Sequence, residues 1–181
     1  NKGVPFSGSG LSVLAVYQAA SKVPDEIQKI TFTSGTTGDP KGVCLTAQQQ
    51  LNVARALALA TSTLDIRTHL CLLPFSVLLE NIAGVYAPMM AGANVVCLPM
   101  AETGLKGAAS FDAQQCLNTI ARYQAESIIL LPQMLMALLQ ASTPGDVRWK
   151  SLKFIAVGGG KVPMALLTLA KWFNLPVYEG Y

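Results

Sequence analysis

The sequence of 181 residues has 51% hydrophobic but only 13% charged residues, where a typical soluble domain has about 25% charged residues. Its length fits one domain, and its net charge of +3 comes from scattered residues, which argues against a nucleic-acid partner or a polybasic membrane surface. The apolar composition fits a sheet buried on both faces, or a chain partly covered by a missing remainder.

Short β-branched or leucine-rich runs alternate along the chain with segments of helical length. The runs predicted as strands are residues 30–33, 43–45, 70–73, 95–98, 128–131 and 154–157. The segments predicted as helices are residues 48–60, 78–90, 112–124, 133–140 and 164–173. Strands that alternate with helices predict an α/β fold, in which a largely parallel sheet has helices on both faces.

The clearest helix signal follows Asp112. This residue is expected to cap the helix, Gln115 occupies the capping-box position, and Cys116 and Ile120 share one face.

A loop rich in glycine and hydroxyl side chains, SGTTGDPKG, occupies residues 34–42. It follows residues 30–33, which are expected to end at the carboxyl edge of the parallel sheet, where ligands bind in such folds. Its glycines leave backbone N–H groups open to an anion, its serine and threonines add hydroxyl donors, and Lys41 adds a positive charge. The loop therefore predicts a polyphosphate site.

Two other interpretations of this loop compete with that prediction. A Walker A loop, GxxxxGK[ST], is disfavoured because Pro40 stands in place of the second glycine and Gly42 in place of the magnesium-binding hydroxyl. A glycine-rich hairpin is the second alternative, with Asp39 and Pro40 as its turn and Lys41 merely solvated. The length of the complete string favours phosphate binding over the hairpin.

At these residues the chain resembles the adenylate-forming enzymes, because SGTTGDPKG is similar to the signature loop of that family. That family includes acyl-CoA synthetases, luciferases and the adenylation domains of peptide synthetases. Weaker similarities follow in the family's order. Residues 72–81 resemble the segment before the acyl pocket, residues 156–163 the glycine-rich turn along the adenine, and residues 178–181 the start of the adenine-contacting motif.

The resemblance implies that ATP, with Mg²⁺, converts a carboxylic acid to an acyl-adenylate and pyrophosphate, and that the acyl group then passes to a thiol, usually of coenzyme A. The charge of the departing pyrophosphate needs stabilisation, which the loop would supply. The resemblance assigns catalysis to Lys41 and Thr36. It assigns nucleotide binding to Thr33, Ser34, Gly35, Thr37, Gly38, Gly158, Gly159, Gly160, Glu179, Gly180 and Tyr181. No residue is predicted as a metal ligand.

The acid is predicted to contact Phe75, Val77 and Glu80. The stretch FSVLL at residues 75–79 lacks the aspartate that holds an amino group in peptide-synthetase domains, and it offers apolar surface. With Glu80 and the ending EGY, it resembles long- or medium-chain acyl-CoA synthetases and favours a fatty or aromatic acid. Val77 and Ala47 stand where the family often has histidine.

The cysteines Cys44, Cys71, Cys97 and Cys116 have no CxxC spacing, and His69 is the only histidine, so the sequence argues against a zinc site. The thiols are expected to be buried and reduced in a cytoplasmic protein. His69 lies outside the motifs and is predicted to be a strand-edge residue. No membrane span is predicted, while peripheral membrane contact stays open.

In the family a ribose-binding aspartate and a catalytic lysine on a mobile C-terminal domain follow the position of Tyr181. Residues 1–181 are therefore expected to be one partial AMP-binding domain, inactive alone and prone to self-association, with a mobile or peripheral segment at 1–25. The expected partners are the acid, ATP, coenzyme A and the rest of its own chain. The alternative is a non-catalytic nucleotide-binding or scaffold protein of the same fold, which Val77 favours.

Overall fold

The computed structural model describes residues 4–5, 12–13, 23–33, 41–106 and 110–180. The strands are β1 Val4–Pro5, β2 Ser12–Val13, β3 Ile27–Thr33, β4 Lys41–Thr46, β5 Thr68–Leu70, β6 Asn94–Val96, β7 Leu105–Lys106, β8 Ser110–Phe111, β9 Ser127–Leu130, β10 Phe154–Val157 and β11 Val177–Glu179. The α-helices are α1 Ala47–Ala60, α2 Ala87–Met90, α3 Ala113–Tyr123, α4 Pro132–Gln140 and α5 Met164–Trp172. A π-helix spans Glu80–Tyr86, and 3-10 helices span Ser62–Leu64 and Val147–Trp149.

Five parallel strands form the central sheet in the order β6-β5-β9-β10-β11. The chain adds β6 on one side of β5 and then β9, β10 and β11 on the other, so the strand order reverses between β5 and β9. Such a reversal opens a crevice at the carboxyl ends of the two strands. The predicted α/β class with a parallel sheet is confirmed.

The sheet strands are short and apolar because helices cover both faces. Ile128 and Leu130 of β9 and Ile155 of β10 are fully buried in the main core, which also takes side chains from α3, α4 and α5. Alternate residues of a strand point to opposite faces. Ser127 and Ile129 accordingly face a cleft whose far wall is built by α1, the π-helix and α2.

Among the described α-helices, two begin with side-chain caps. Asp112 Oδ1 accepts a hydrogen bond from Gln115 N at 3.0 Å, as predicted for the start of α3. The Gln115 side chain, however, donates to the Glu102 carbonyl oxygen at 3.2 Å. The complete capping box lies at α1, where Thr46 N donates to Gln49 Oε1 at 2.9 Å and Gln49 N donates to Thr46 Oγ1 at 3.2 Å.

The helix predicted at residues 78–90 is present, but its middle is a π-helix. Gly84 explains the local fit, because a Cβ there would overlap Glu80 Oε1 and lie 2.8 Å from His69 Nε2. The wider π register thus lets the Glu80 side chain turn inward against a position without a side chain. The apolar pattern of the sequence does not distinguish a π-helix from an α-helix here. The π-helix is favoured by the contact of Glu80 with His69, and His69 lies on the distant strand β5.

The strands β3 and β4 form a separate antiparallel hairpin, with Thr33 opposite Lys41. The prediction that residues 30–33 end at the edge of the parallel sheet is therefore wrong. Residues 34–40 are too few for a parallel crossover, which needs about a dozen residues, so the two strands pair directly. Of the segment predicted to be mobile or peripheral, β1 and β2 pair antiparallel, and most of the rest lies outside the described residues.

Burial differs from prediction at three residues. All four cysteines fall in the described ranges and are unpaired, and Cys71 and Cys116 are buried as expected. Cys44 and Cys97 are exposed, because one lies on the two-stranded hairpin and the other just beyond the edge strand β6. His69 is 2% exposed inside β5, between β6 and β9, so its predicted strand-edge position is wrong.

Within the described ranges, no helix combines the length and apolar character needed to cross a membrane.

Candidate functional site

An apolar cleft of about 540 Å³ lies between the sheet and the layer formed by α1, the π-helix and α2. Its apolar lining includes Val53, Leu57, Leu78, Leu79, Ile82 and Ala83 on the helical side and Ile129, Phe154 and Ala156 on the sheet. The rings of Phe154 and Tyr178 stack with centroids 5.0 Å apart across β10 and β11. An apolar cavity of this size with few polar groups suits a small-molecule ligand.

The carboxyl ends of β10 and β11 meet beside this cleft. Gly158 N donates to the Leu130 carbonyl oxygen at 3.1 Å, and Gly180 N donates to the Val157 carbonyl oxygen at 2.8 Å. A Cβ on Gly158 would lie 2.9 Å from the Gly180 oxygen, so the two chain segments touch only because this residue is glycine. Glu179 and Gly180 line the cleft, and three residues assigned to the nucleotide thus come together here.

The other two glycines of this turn differ in what they require. Gly159 has a φ of +75°, in the left-handed region, and a Cβ there would lie 2.8 Å from Leu131 Cδ2. Gly160 has no heavy atom within 4 Å of its ideal Cβ position. The backbone conformation of Gly159 therefore favours glycine at this position, whereas nothing around Gly160 requires one.

The loop predicted to bind phosphate, residues 34–42, is described only at its last two residues, 41 and 42. Thr33 and Lys41 are the paired terminal residues of the hairpin. Ser34, Gly35, Thr36, Thr37 and Gly38 lie outside the described residues, and so does Tyr181. The roles assigned to these residues stay predictions. The hairpin is connected to the cleft through α1, because this helix follows β4 directly and contributes Val53 and Leu57 to the cleft wall.

The residues assigned to the acid occupy different surroundings. Phe75 is 50% exposed, and Val77 is half-buried with its N–H donating to the Pro74 carbonyl oxygen at 2.9 Å. The FSVLL stretch contributes its last two residues, Leu78 and Leu79, to the cleft. Sequence reasoning identified the apolar stretch but missed these two leucines, since the direction of each side chain depends on where the following helix packs.

The Glu80 carboxylate is fully buried, and each of its oxygens lies next to a polar group. Its Oε2 accepts a hydrogen bond from Leu73 N at 3.0 Å, and its Oε1 lies 3.2 Å from His69 Nε2. The other ring nitrogen of His69, Nδ1, lies 2.8 Å from Ser127 Oγ. Burial, reinforced by the charge of Glu80, raises the pKa of the Cys71 thiol above its ordinary value of 9.0.

His69 and Ser127 therefore place polar groups in the lining of a mostly apolar cleft. Sequence reasoning missed both as site residues. The available signal was that each is a polar residue next to buried apolar strand residues, and a polar side chain buried there needs a hydrogen-bond partner.

Known proteins share this architecture and part of the sequence. The family described as AMP-binding enzyme matches residues 5–181. The Mycobacterium tuberculosis 3-[(3aS,4S,7aS)-7a-methyl-1,5-dioxo-octahydro-1H-inden-4-yl]propanoyl:CoA ligase is 27% identical over 161 residues, which cover 89% of this chain and 30% of that ligase. Tyrocidine synthase 2 of Brevibacillus parabrevis is 30% identical over 149 residues, which cover 81% of this chain and 4% of that synthase.

Among solved structures, O-succinylbenzoate coenzyme A synthetase from Bacillus subtilis, in complex with AMP, aligns with a TM-score of 0.65 and 25% sequence identity. The alignment covers 90% of this chain and 33% of that chain. The present chain thus spans about a third of this synthetase and 30% of the mycobacterial ligase.

Proposed function

This chain belongs to the AMP-binding enzyme family, and from that premise we propose that it carries the phosphate loop and part of the acid pocket of an AMP-forming acid–thiol ligase. The enzyme would use ATP and Mg²⁺ to form an acyl-adenylate and would then transfer the acyl group to coenzyme A. The names of two similar proteins, a CoA ligase and a coenzyme A synthetase, support this proposal.

The single observation that carries the proposal is the position of the apolar cleft. Glu179 and Gly180, which resemble part of the family's adenine-contacting motif, line the same cavity as Leu78, Leu79 and Ile82. Adenylation requires the carboxylate of the acid to meet the α-phosphate of ATP, so the acid and the nucleotide must share one cavity. An apolar wall next to the nucleotide motif is the arrangement that this reaction needs.

Lys41 and Thr36 would act on the phosphates. The carboxylate attacks the α-phosphorus and pyrophosphate leaves, so negative charge develops on the departing group. A lysine ammonium and a threonine hydroxyl held at that position would stabilise the charge. Mg²⁺ would bind to the triphosphate of ATP and neutralise part of its charge. Among the described residues none is assigned as a ligand of that ion.

The acid itself is proposed from the chemistry of the cleft. Its walls are aliphatic and aromatic apart from His69, Ser127 and a few residues at the rim, which supports a fatty or other largely apolar acid. Phe75, Val77 and Glu80 are not among the residues that line the cleft, and their contact with the acid stays a proposal. The unpaired cysteines support a reducing compartment, which we propose is the cytoplasm.

A binding measurement on the purified chain tests the phosphate assignment directly. ATP affinity is measured by calorimetry for the wild type, for Lys41→Ala and for the control Lys150→Ala, which removes another exposed lysine. We expect Lys41→Ala to weaken ATP binding about tenfold or more, because a charge-assisted contact to phosphate is lost, and Lys150→Ala to leave it unchanged. Equal affinity in all three proteins would refute the phosphate site and favour a simple hairpin.

Catalysis is assayed in the natural protein that contains this chain, since the chain spans 30% of the mycobacterial ligase. Lys41→Ala and Thr36→Ala should slow adenylation about thirty- to a thousand-fold, the equivalent of about 2–4 kcal/mol. Thioester formation from preformed acyl-adenylate should change much less, because pyrophosphate takes no part in that step. ATP binding without any adenylation would favour the non-catalytic scaffold instead, and the isolated chain is expected to be inactive.

A further inference from the structure

Three side chains with metal-binding atoms lie together where β5 packs against the start of the π-helix. A ring nitrogen of His69, Cys71 Sγ and a Glu80 carboxylate oxygen lie within 4.8 Å of one another, and all three residues are buried. Cys97 Sγ is 4.0 Å from Cys71 Sγ but lies outside that group, so the Cys97 side chain has to move toward His69 and Glu80 to complete a site. Imidazole, thiolate and carboxylate are the ligands that zinc takes in proteins.

We propose that His69, Cys71 and Glu80, completed by Cys97, form a zinc site. In a tetrahedral site, bonds of about 2.0–2.3 Å place ligand atoms about 3.3–3.8 Å apart. The nitrogen of His69 and the oxygen of Glu80 are 3.2 Å apart, and the two sulfurs are 4.0 Å apart. The widest separation within the buried three, at most 4.8 Å, closes with a side-chain shift of about 1 Å.

Outer hydrogen bonds already orient two of the ligands. Ser127 Oγ lies 2.8 Å from His69 Nδ1, so Nε2 faces the cluster. A metal-binding histidine characteristically uses its second nitrogen in this way, which fixes the tautomer and the ring orientation. The second oxygen of Glu80 accepts the Leu73 N–H at 3.0 Å, which leaves Oε1 for the ion.

The two cysteines are adjacent because of strand register. Leu70 pairs with Val96 in the parallel ladder, so the residues that follow, Cys71 and Cys97, leave neighbouring strands side by side. Cys71 N donates to the Val96 carbonyl oxygen at 3.0 Å and continues that ladder. Cys97 is exposed and therefore gives an ion a route from solvent to the buried ligands.

The ion would join three separate parts of the fold: the end of β5, the segment after β6 and the π-helix. It would therefore stabilise the folded chain, since it binds the native arrangement and not the dispersed ligands of the unfolded chain. This inference does not depend on the proposed catalytic function, but it competes with one assignment, because a Glu80 carboxylate that binds the ion cannot also contact the acid.

Cobalt(II) substitution tests the site in the purified, metal-free chain, reduced with a phosphine that does not compete for metal. We expect one equivalent of Co²⁺ to produce the near-ultraviolet thiolate-to-cobalt absorption, and Zn²⁺ to remove it and raise the melting temperature. Cys71→Ser should abolish or halve the band, and Cys97→Ser should about halve it, because each removes one thiolate. The control Cys44→Ser removes an exposed thiol on the hairpin and should leave the titration unchanged.

A further variant separates the site from adventitious thiol binding. Ser127→Ala keeps all four ligands but removes the partner of His69, and it should weaken Co²⁺ affinity about 10- to 100-fold while the absorption band persists at saturation. If Cys71→Ser fails to fold, Cys97→Ser and Ser127→Ala still decide the question. The proposal would be overturned if the wild type showed no absorption band, or if both of these variants showed the wild-type band and Co²⁺ affinity. The cluster would then be only a buried contact between His69 and Glu80.

Discussion

Lys29 on β3 donates a hydrogen bond to Asn81 Oδ1 in the π-helix, and its ammonium lies 5.4 Å from the centroid of the Tyr86 ring. The β3–β4 hairpin, which flanks the proposed phosphate loop, is thereby joined to the segment that lines the cleft. Lys29 is half-buried, so both contacts are partly shielded from water.

Replacing Lys29 should loosen the hairpin. We expect Lys29→Met to lower the free energy of unfolding by about 0.5–1.5 kcal/mol and to speed amide hydrogen exchange in β3 and β4, since the hydrogen bond and the cation–π contact are both lost. Lys150→Met is the control, because it removes a lysine far along the chain. Unchanged exchange in the hairpin would mean that the link contributes nothing to its stability.

Gly158 and Gly160 offer a matched pair for urea unfolding. Gly158→Ala should destabilise the fold by about 1–3 kcal/mol, because the new methyl group would lie 2.9 Å from the Gly180 oxygen and 3.3 Å from Leu79 Cδ2. Gly160→Ala meets no atom within 4 Å and should change stability by no more than about 0.5 kcal/mol. Similar urea midpoints for the two variants would contradict the close approach of Gly158 and Gly180.

Asp146 should make stability depend on pH. Hydrogen bonds from the Arg148 side chain, at 2.6 Å for Nη2 to Oδ2, hold the pKa of Asp146 below its ordinary value of 3.8. A depressed folded pKa means that the stabilisation is complete above the unfolded value and is lost as the pH falls through the folded value.

Urea midpoints measured from pH 6 to pH 2 test this expectation. Asp146→Asn should lower stability at pH 6 and flatten its fall in acid. Asp65→Asn is the control, since the pair of Asp65 with Arg67 is exposed and contributes little. Parallel pH curves for the wild type and Asp146→Asn would show that the pair does not control acid stability.

The four thiols should separate into two kinetic classes. With a chelator present at pH 8, we expect an aromatic disulfide reagent to modify Cys44 and Cys97 rapidly, because both are exposed. Cys71 and Cys116 should react only after unfolding, since burial raises the pKa of both and that of Cys116 reaches about 12. Rapid modification of all four thiols in the folded chain would contradict this burial.

Several parts of the structure could be read from local sequence. The strands and the helix starts of the described residues are set by neighbouring residues, as at Asp112, whose carboxylate caps the helix that follows it. The α/β class follows from the alternation of those elements along the chain. The apolar stretch at residues 75–79 likewise indicated a binding surface, although not which of its side chains face the cleft.

The tertiary structure alone decided which distant residues meet. Glu80 was assigned to the acid because of its position in a motif, yet its carboxylate lies against His69 on β5, and His69 in turn contacts Ser127 on β9. Hydrophobic periodicity reports which face of an element is buried, but it does not report strand order or register. Strand pairing in register places Cys97 beside Cys71, and the reversal of strand order between β5 and β9 brings Ser127 to His69, so these contacts came from topology and not from spacing in the sequence.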